Sequence, residues 1–190
     1  MNKKTQFPTI IEAIGNTPLV QLPLITNTTF LLKLEYLNPG GSIKDRAASF
    51  MIARAEREGL LKPGGTIIEA SSGNQGIALA MIGAIKGYKV IITVPERTSK
   101  EKVATLTAYG AQVEVCPSTH SLHDPRSYHS RAEQLLKETP GAFMPNQYYN
   151  IANVEAHYAT TGPEIWQQTN GTITHLFVAM GSCGTISGTG

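Results

Sequence analysis

The chain has 190 residues, 41% hydrophobic and 16% charged, with a formal net charge of +2. That length supports one substantial core, or one domain and part of another, and so weak a charge gives no basis for binding nucleic acid or an anionic membrane. No apolar run reaches the length of a membrane span, Met1 to Pro8 lacks the apolar stretch of a signal peptide, and the two cysteines, Cys116 and Cys183, make no disulfide framework, which points to a reducing cytoplasm.

The first informative stretch is Asn38-Pro39-Gly40-Gly41-Ser42-Ile43-Lys44-Asp45-Arg46. It predicts a rigid turn followed by a helix with Lys44 in its first turn, running to Glu58 and stopping at Gly59. Ser42 and Asp45 have the spacing of a capping box. The positive end of the helix dipole and the neighbouring Arg46 both disfavour the ammonium form of Lys44. An amine that loses its proton easily is a nucleophile for carbonyls. On its own, a lysine so placed reads as a solvated helix-start residue; the rest of the chain changes that reading.

Further on, β-branched runs alternate with helical patterns. Strands are predicted at Thr66 to Glu69, Lys89 to Val94, Gln112 to Val115, Ala142 to Met144 and His175 to Ala179. Helices are predicted from about Gln75 to Lys86, Ser99 to Tyr109, Pro125 to Glu138 and Ala152 to Gln168, the last broken or kinked near Gly162-Pro163. This alternation predicts an α/β fold: a parallel sheet with helices on both faces, three layers in all.

Ligands of such sheets sit at the carboxyl ends of the strands. Two loops of small residues fall there. Ser71-Ser72-Gly73-Asn74-Gln75-Gly76 offers backbone N–H groups and a helix start suited to a carboxylate, and it also reads as a plain strand-to-helix turn with a serine cap. Gly181-Ser182-Cys183-Gly184-Thr185 offers successive N–H groups and two hydroxyls suited to a phosphate. It is neither a Walker A loop nor G-x-G-x-x-G.

A nucleophilic lysine, a carboxylate loop and a phosphate loop on one α/β chain suggest pyridoxal 5'-phosphate. Gly15-Asn16-Thr17-Pro18-Leu19, the Asn38 to Arg46 stretch, Ser72-Gly73-Asn74 and the Gly181 to Thr185 loop resemble the fold-type-II pyridoxal-phosphate enzymes, which have the tryptophan synthase β-like fold. Ala78 to Ile82, Lys86-Gly87-Tyr88 and Thr160 to Thr169 make the chain most similar to the cysteine synthases (O-acetylserine sulfhydrylases) of the B type. The similarity runs from Ile11 to the end of the chain.

By this resemblance Lys44 is the Schiff-base lysine, which also carries the α-proton, and Asn74 bonds the cofactor's 3′-oxygen. Ser72, Gly73, Gln75 and Gln147 face the substrate carboxylate, and Gly181, Ser182, Cys183, Gly184 and Thr185 hold the phosphate. No metal site is implied. The implied reaction is a β-replacement: O-acetyl-L-serine loses acetate, and sulfide or another sulfur donor adds to give L-cysteine. The implied protein is a cytoplasmic homodimer when full length. The implied domains are a smaller one at 38–146 and part of a larger, cofactor-binding one at 1–37 plus 147–190, which makes the chain an N-terminal portion with its second domain incomplete. The portion beyond Gly190 would carry the partner of the pyridine nitrogen, and the isolated Gly181 to Thr185 loop is expected to fray.

Two residues depart from the family pattern. Gln75 stands where threonine is usual, so a longer side chain enters the carboxylate site. Cys183 stands where Gly or Thr is usual and adds a thiol to the phosphate nest. A non-catalytic relative that keeps the fold core is the competing reading, and cystathionine β-synthase activity is a variant of the first. His120 and His123 have no third ligand at metal spacing. His157 and His175 read as packed or surface histidines, and Trp166 as a core or dimer-contact aromatic.

Overall fold

The structure is a computed structural model that describes residues 8–23, 28–121 and 123–190. The basic segment at 1–7 lies outside the described residues. Three parallel strands form the central sheet in the order β3 (Thr66–Ala70), β4 (Lys89–Pro95), β5 (Gln112–Cys116). Ile67 lies beside Val90, and Ile92 beside Val113. Phe143 adds a single parallel bridge to Ile67, so the expected strand at Ala142 to Met144 is reduced to one pairing position.

Alternation along β3 divides the core. Ile67 joins Val90, Ile92 and Val94 against α1 (Lys44–Arg57) and α2 (Asn74–Lys86), through Ile52, Leu79 and Ile82. α3 (Lys100–Ala108) adds Leu106 to the same cluster. Ile68 turns to the other face, where α4 (Tyr128–Glu138) supplies Ala132 and Leu135. Helices therefore cover both faces, as the α/β pattern requires. α2 lies very close to the sheet: a Cβ on Gly83 would sit 2.3 Å from Val90 Cγ2.

Before the sheet, β1 (Leu19–Leu22) and β2 (Phe30–Lys33) pair antiparallel, a ladder that the sequence reading did not anticipate. After it, α5 (Ala152–Ala156), a π-helical segment (His157–Thr161) and α6 (Gly162–Gln168) follow without a break. The irregularity precedes Gly162-Pro163 by one turn. Proline has no N–H and its ring crowds the carbonyl four residues back, so the helix widens there.

Three local expectations are corrected. His175 to Ala179 pairs with no strand among the described residues: it has the strand pattern but no neighbour to bond. Ser42 and Asp45 do not form a capping box. Ser42 Oγ accepts from Lys44 N at 3.1 Å, while Asp45 reaches back to accept from Gly40 N at 2.5 Å, because the Pro-Gly-Gly turn brings that amide nearer than any helix donor. Of the two readings for Trp166, core or dimer contact, the core one is corrected: it is 60% exposed.

α7 (Gly184–Thr189) closes the described chain. Six residues of poor helix formers would not hold together alone, and the loop before them was expected to fray. Packing supplies what propensity lacks. A Cβ on Gly188 would fall 2.4 Å from Val154 O, so α7 lies directly on the α5 backbone.

Candidate active site

The first turn of α1 is held from behind by charge. Arg46 is 1% exposed and binds two carboxylates. Its Nε and Nη2 donate to Glu35 at 2.7 and 2.9 Å, and its Nη1 and Nη2 donate to Glu164 at 2.6 and 2.7 Å. Lys33 Nζ adds a bond of 2.7 Å to Glu164. Thr17 Oγ1 and Asn38 Nδ2 donate to Glu35 at 2.6 and 2.9 Å, and Asn16 N donates to Glu164 at 3.0 Å. The Gly15 to Leu19 motif therefore contributes scaffold: it ties the β1–β2 region and α6 to the helix that carries Lys44.

A cavity of about 360 Å³ lies at the carboxyl end of β3. Lys44, Ser72, Gly73, Asn74, Gln75, Gln147, Gly181 and Ser182 all line it, together with Tyr128 and His129. The structure thus brings together eight of the eleven residues singled out from sequence. Cys183, Gly184 and Thr185 do not line the cavity. They follow Ser182 into α7, and Cys183 is exposed with φ 60°.

Lys44 Nζ donates to Ser182 Oγ at 3.0 Å. Burial holds its amine below the usual lysine range. The direction matches the sequence argument, but the cause differs. Burial supplies it rather than Arg46, whose guanidinium is paired with two carboxylates. Asn153 Nδ2 also donates to Ser182 Oγ, at 2.9 Å, and to Gln147 O at 2.9 Å. With two donors already on its oxygen, the Ser182 hydroxyl keeps its own proton for a further acceptor.

Asn153 was not singled out from sequence. A polar residue in a short helical pattern carries no sign of what its face meets. Its Oδ1 is buried with no partner, and a Cβ on Gly184 would lie 2.2 Å from it. Only glycine fits at that point of the loop. His157, read as packed or surface, is 0% exposed and bridges Thr161 Oγ1 at 2.8 Å and Thr185 Oγ1 at 3.2 Å. Burial, then the charges of Arg46 and Lys44, lowers its imidazole to about 4, so it stays neutral.

The Ser71 to Gly76 turn is capped by Ser71, whose Oγ accepts from Gly76 N at 3.0 Å. Gln75 is 1% exposed. Its Nε2 lies 3.6 Å from Met51 Sδ, and its Oε1 is buried without a partner. Gln75 forms part of the cavity wall, with its amide nitrogen turned toward α1.

This donor set suits a phosphorylated aldehyde. The cavity joins an amine whose charge burial disfavours to a loop whose N–H groups at Gly181, Ser182, Cys183 and Gly184 donate no hydrogen bond among the described residues. Such a loop suits an anion. The amine is placed to meet a carbonyl carbon.

Comparison with known proteins agrees. Residues 10–190 match the family model described as pyridoxal-phosphate dependent enzyme. The chain is 50% identical over 186 residues to cysteine synthase B of Pseudomonas aeruginosa, covering 96% of this chain and 61% of that protein. It is 49% identical to cystathionine beta-synthase of Apis mellifera, covering 97% of this chain and 38% of that protein. A crystal structure of a hydrogen sulfide-producing enzyme from Fusobacterium nucleatum superposes with a TM-score of 0.88 at 40% identity, covering 95% of this chain and 59% of that one. The chain therefore spans between 38% and 61% of the length of these relatives.

Proposed function

The chain belongs to the pyridoxal-phosphate dependent enzyme family, and from that membership we propose that it is the lysine-bearing part of a cysteine synthase. The reaction is replacement of the acetoxy group of O-acetyl-L-serine by sulfide, giving L-cysteine and acetate. The observation that carries the reading is the Lys44 amine, held by burial below its usual range and hydrogen-bonded to Ser182 in the cavity shared with Asn74 and Gln147.

Lys44 Nζ would hold the cofactor and would serve as the base that takes the substrate's α-proton. Asn74 would donate to the cofactor's ring oxygen. Gly181, Ser182, Cys183, Gly184 and Thr185 would hold the phosphate, with the N–H groups that donate to no described residue and the Ser182 O–H as donors. Ser72, Gly73 and Gln147 would receive the substrate carboxylate, with Gln75 as the wall behind them. The cofactor, when bound, supplies the electron sink for carbanion formation. The proposal includes a boundary between a smaller unit at 38–146 and the rest, and a cytoplasmic homodimer for the whole protein.

The 49% identity to a cystathionine beta-synthase favours a second reading, in which the same residues serve another β-replacement with a different sulfur acceptor or donor. Product analysis with O-acetyl-L-serine against L-serine, each with sulfide or homocysteine, separates the two. The attachment test comes first. Borohydride reduction of the cofactor-treated protein, followed by peptide mapping, should place the pyridoxyl group on Lys44; a label on Lys33 or Lys86 would sink the assignment.

A further inference from the structure

Glu69 is a buried charge that the site described above does not use. It lies on β3, 2% exposed. By alternation it shares the sheet face of Ile67, the face that packs against Ile52, Leu79 and Ile92. A carboxylate in such surroundings costs free energy unless hydrogen bonds hold it. Burial pushes its carboxyl up to about 7. No cation answers it among the described residues. Lys44 is bonded to Ser182, Arg46 to Glu35 and Glu164, and Lys86 to Glu56.

What does answer it is the backbone of one loop. Glu69 Oε2 accepts from Asn146 N at 2.9 Å, and Oε1 accepts from Gln147 N at 3.3 Å. Asn146 has φ 51°, a left-handed turn that aims two successive N–H groups at one carboxylate. Directly after this turn, Gln147 reaches the cavity. Its carbonyl accepts from Asn153, which also bonds Ser182. The Gln147 backbone is thus held on one side by the sheet and on the other by the helix that supports Lys44's partner.

We propose that Glu69 is a positioning residue for substrate binding: its carboxylate fixes the Asn146–Gln147 backbone, so that Gln147 presents its side-chain amide to the cavity in one pose. The inference rests on the proposed role of Gln147 toward the substrate carboxylate. A long amide side chain binds well only from a fixed backbone, because each rotation left free must be frozen on binding. Two backbone donors sharing one carboxylate fix the backbone at the point where the side chain departs.

Glu69→Gln is close to isosteric. It keeps one acceptor and turns an NH2 donor against the second N–H. In cofactor-loaded protein, L-cysteine binding is read from the cofactor absorbance for Glu69→Gln, Gln147→Ala and the double variant. The expected result is about a tenfold weaker dissociation constant for each single variant, the loss of one charge-assisted hydrogen bond. Cofactor attachment to Lys44 should be unchanged, and the double variant should be no weaker than Gln147→Ala alone.

An unchanged constant in Glu69→Gln beside a weakened Gln147→Ala overturns this inference and leaves the proposed function standing. Additive losses in the double variant also overturn it. An unchanged Gln147→Ala removes the proposed role of Gln147, and this inference with it. Should Glu69→Gln not fold, hydrogen exchange on the unaltered protein decides. Amides of Asn146 and Gln147 protected about a hundredfold over free peptide support the tie, and unprotected amides overturn it.

Discussion

Lys44 and Arg46 stand two residues apart at the start of one helix, and their charges are handled in opposite ways. Arg46 is buried against two carboxylates that take its guanidinium in fork geometry, and these bonds hold it above its ordinary range. Lys44 is partly buried with a single hydroxyl for a partner, and burial holds it below its ordinary range. A fully compensated cation is locked and serves the scaffold. An under-compensated one is ready to lose a proton, which a nucleophilic amine requires. The unpartnered Asn153 Oδ1 and Gln75 Oε1 lie on the Lys44 side of this divide.

Breaking the compensated side should have the largest effect. Arg46→Ala leaves Glu35 with no cation and Glu164 with Lys33 alone, and should cost about 3–5 kcal/mol in urea unfolding. Removing the under-compensated charge should cost little. Lys44→Met should unfold within about 1 kcal/mol of wild type while covalent cofactor attachment is lost. If the two variants proved equally destabilised, the contrast between the cations would collapse.

The next test sharpens the comparison with pH. The Glu69 carboxyl stands at about 7 in the folded protein, above its ordinary 4.5. The folded state therefore holds that proton more tightly than the unfolded chain. Stability from this group is present below about pH 4.5 and is lost as pH rises through about 7. His157, lowered from 6.5 to about 4, has the opposite sign. Its contribution is present above about pH 6.5 and is lost as pH falls through about 4. Glu69→Gln should gain on wild type by about 2–3 kcal/mol between about pH 5 and pH 8, measured by urea unfolding at each pH. A difference that ignores pH would show that Glu69 does not titrate in this window.

The smallest effect is expected at Cys183, an L-residue in the left-handed region and exposed. Cys183→Gly relieves the backbone but loosens the unfolded chain, so the net gain should be about 0.5 kcal/mol, near the limit of a thermal melt.

Much of the architecture was legible because its signals are local. The α2 pattern, ended by Gly87 with φ 74°, and the three sheet strands needed no knowledge of their neighbours. The misses needed such knowledge. β1 and β2 are four residues each and gain identity only from each other. His175 to Ala179 has the right residues and no partner among those described. At the site, Lys44 and the two small-residue loops were visible as motifs. Asn153, His157 and Glu69 were not: a polar residue in a helix or strand shows its use only when the opposing surface is known. Asp45 was visible but misread, since its spacing fits a cap while a closer amide at Gly40 takes it.

The π-helical turn at His157–Thr161 works as a phase insertion in an otherwise regular rod. Upstream of it Asn153, and at its first residue His157, meet the Gly181 to Thr185 loop; downstream, Glu164 meets Arg46. Each residue of an α-helix turns by about 100°. Deleting two residues within the wide turn, one more than its closure to a regular turn absorbs, would leave both flanks helical, yet swing Glu164 away from Arg46. The rod is therefore keyed at both ends, and residue count between the keys matters more there than residue identity.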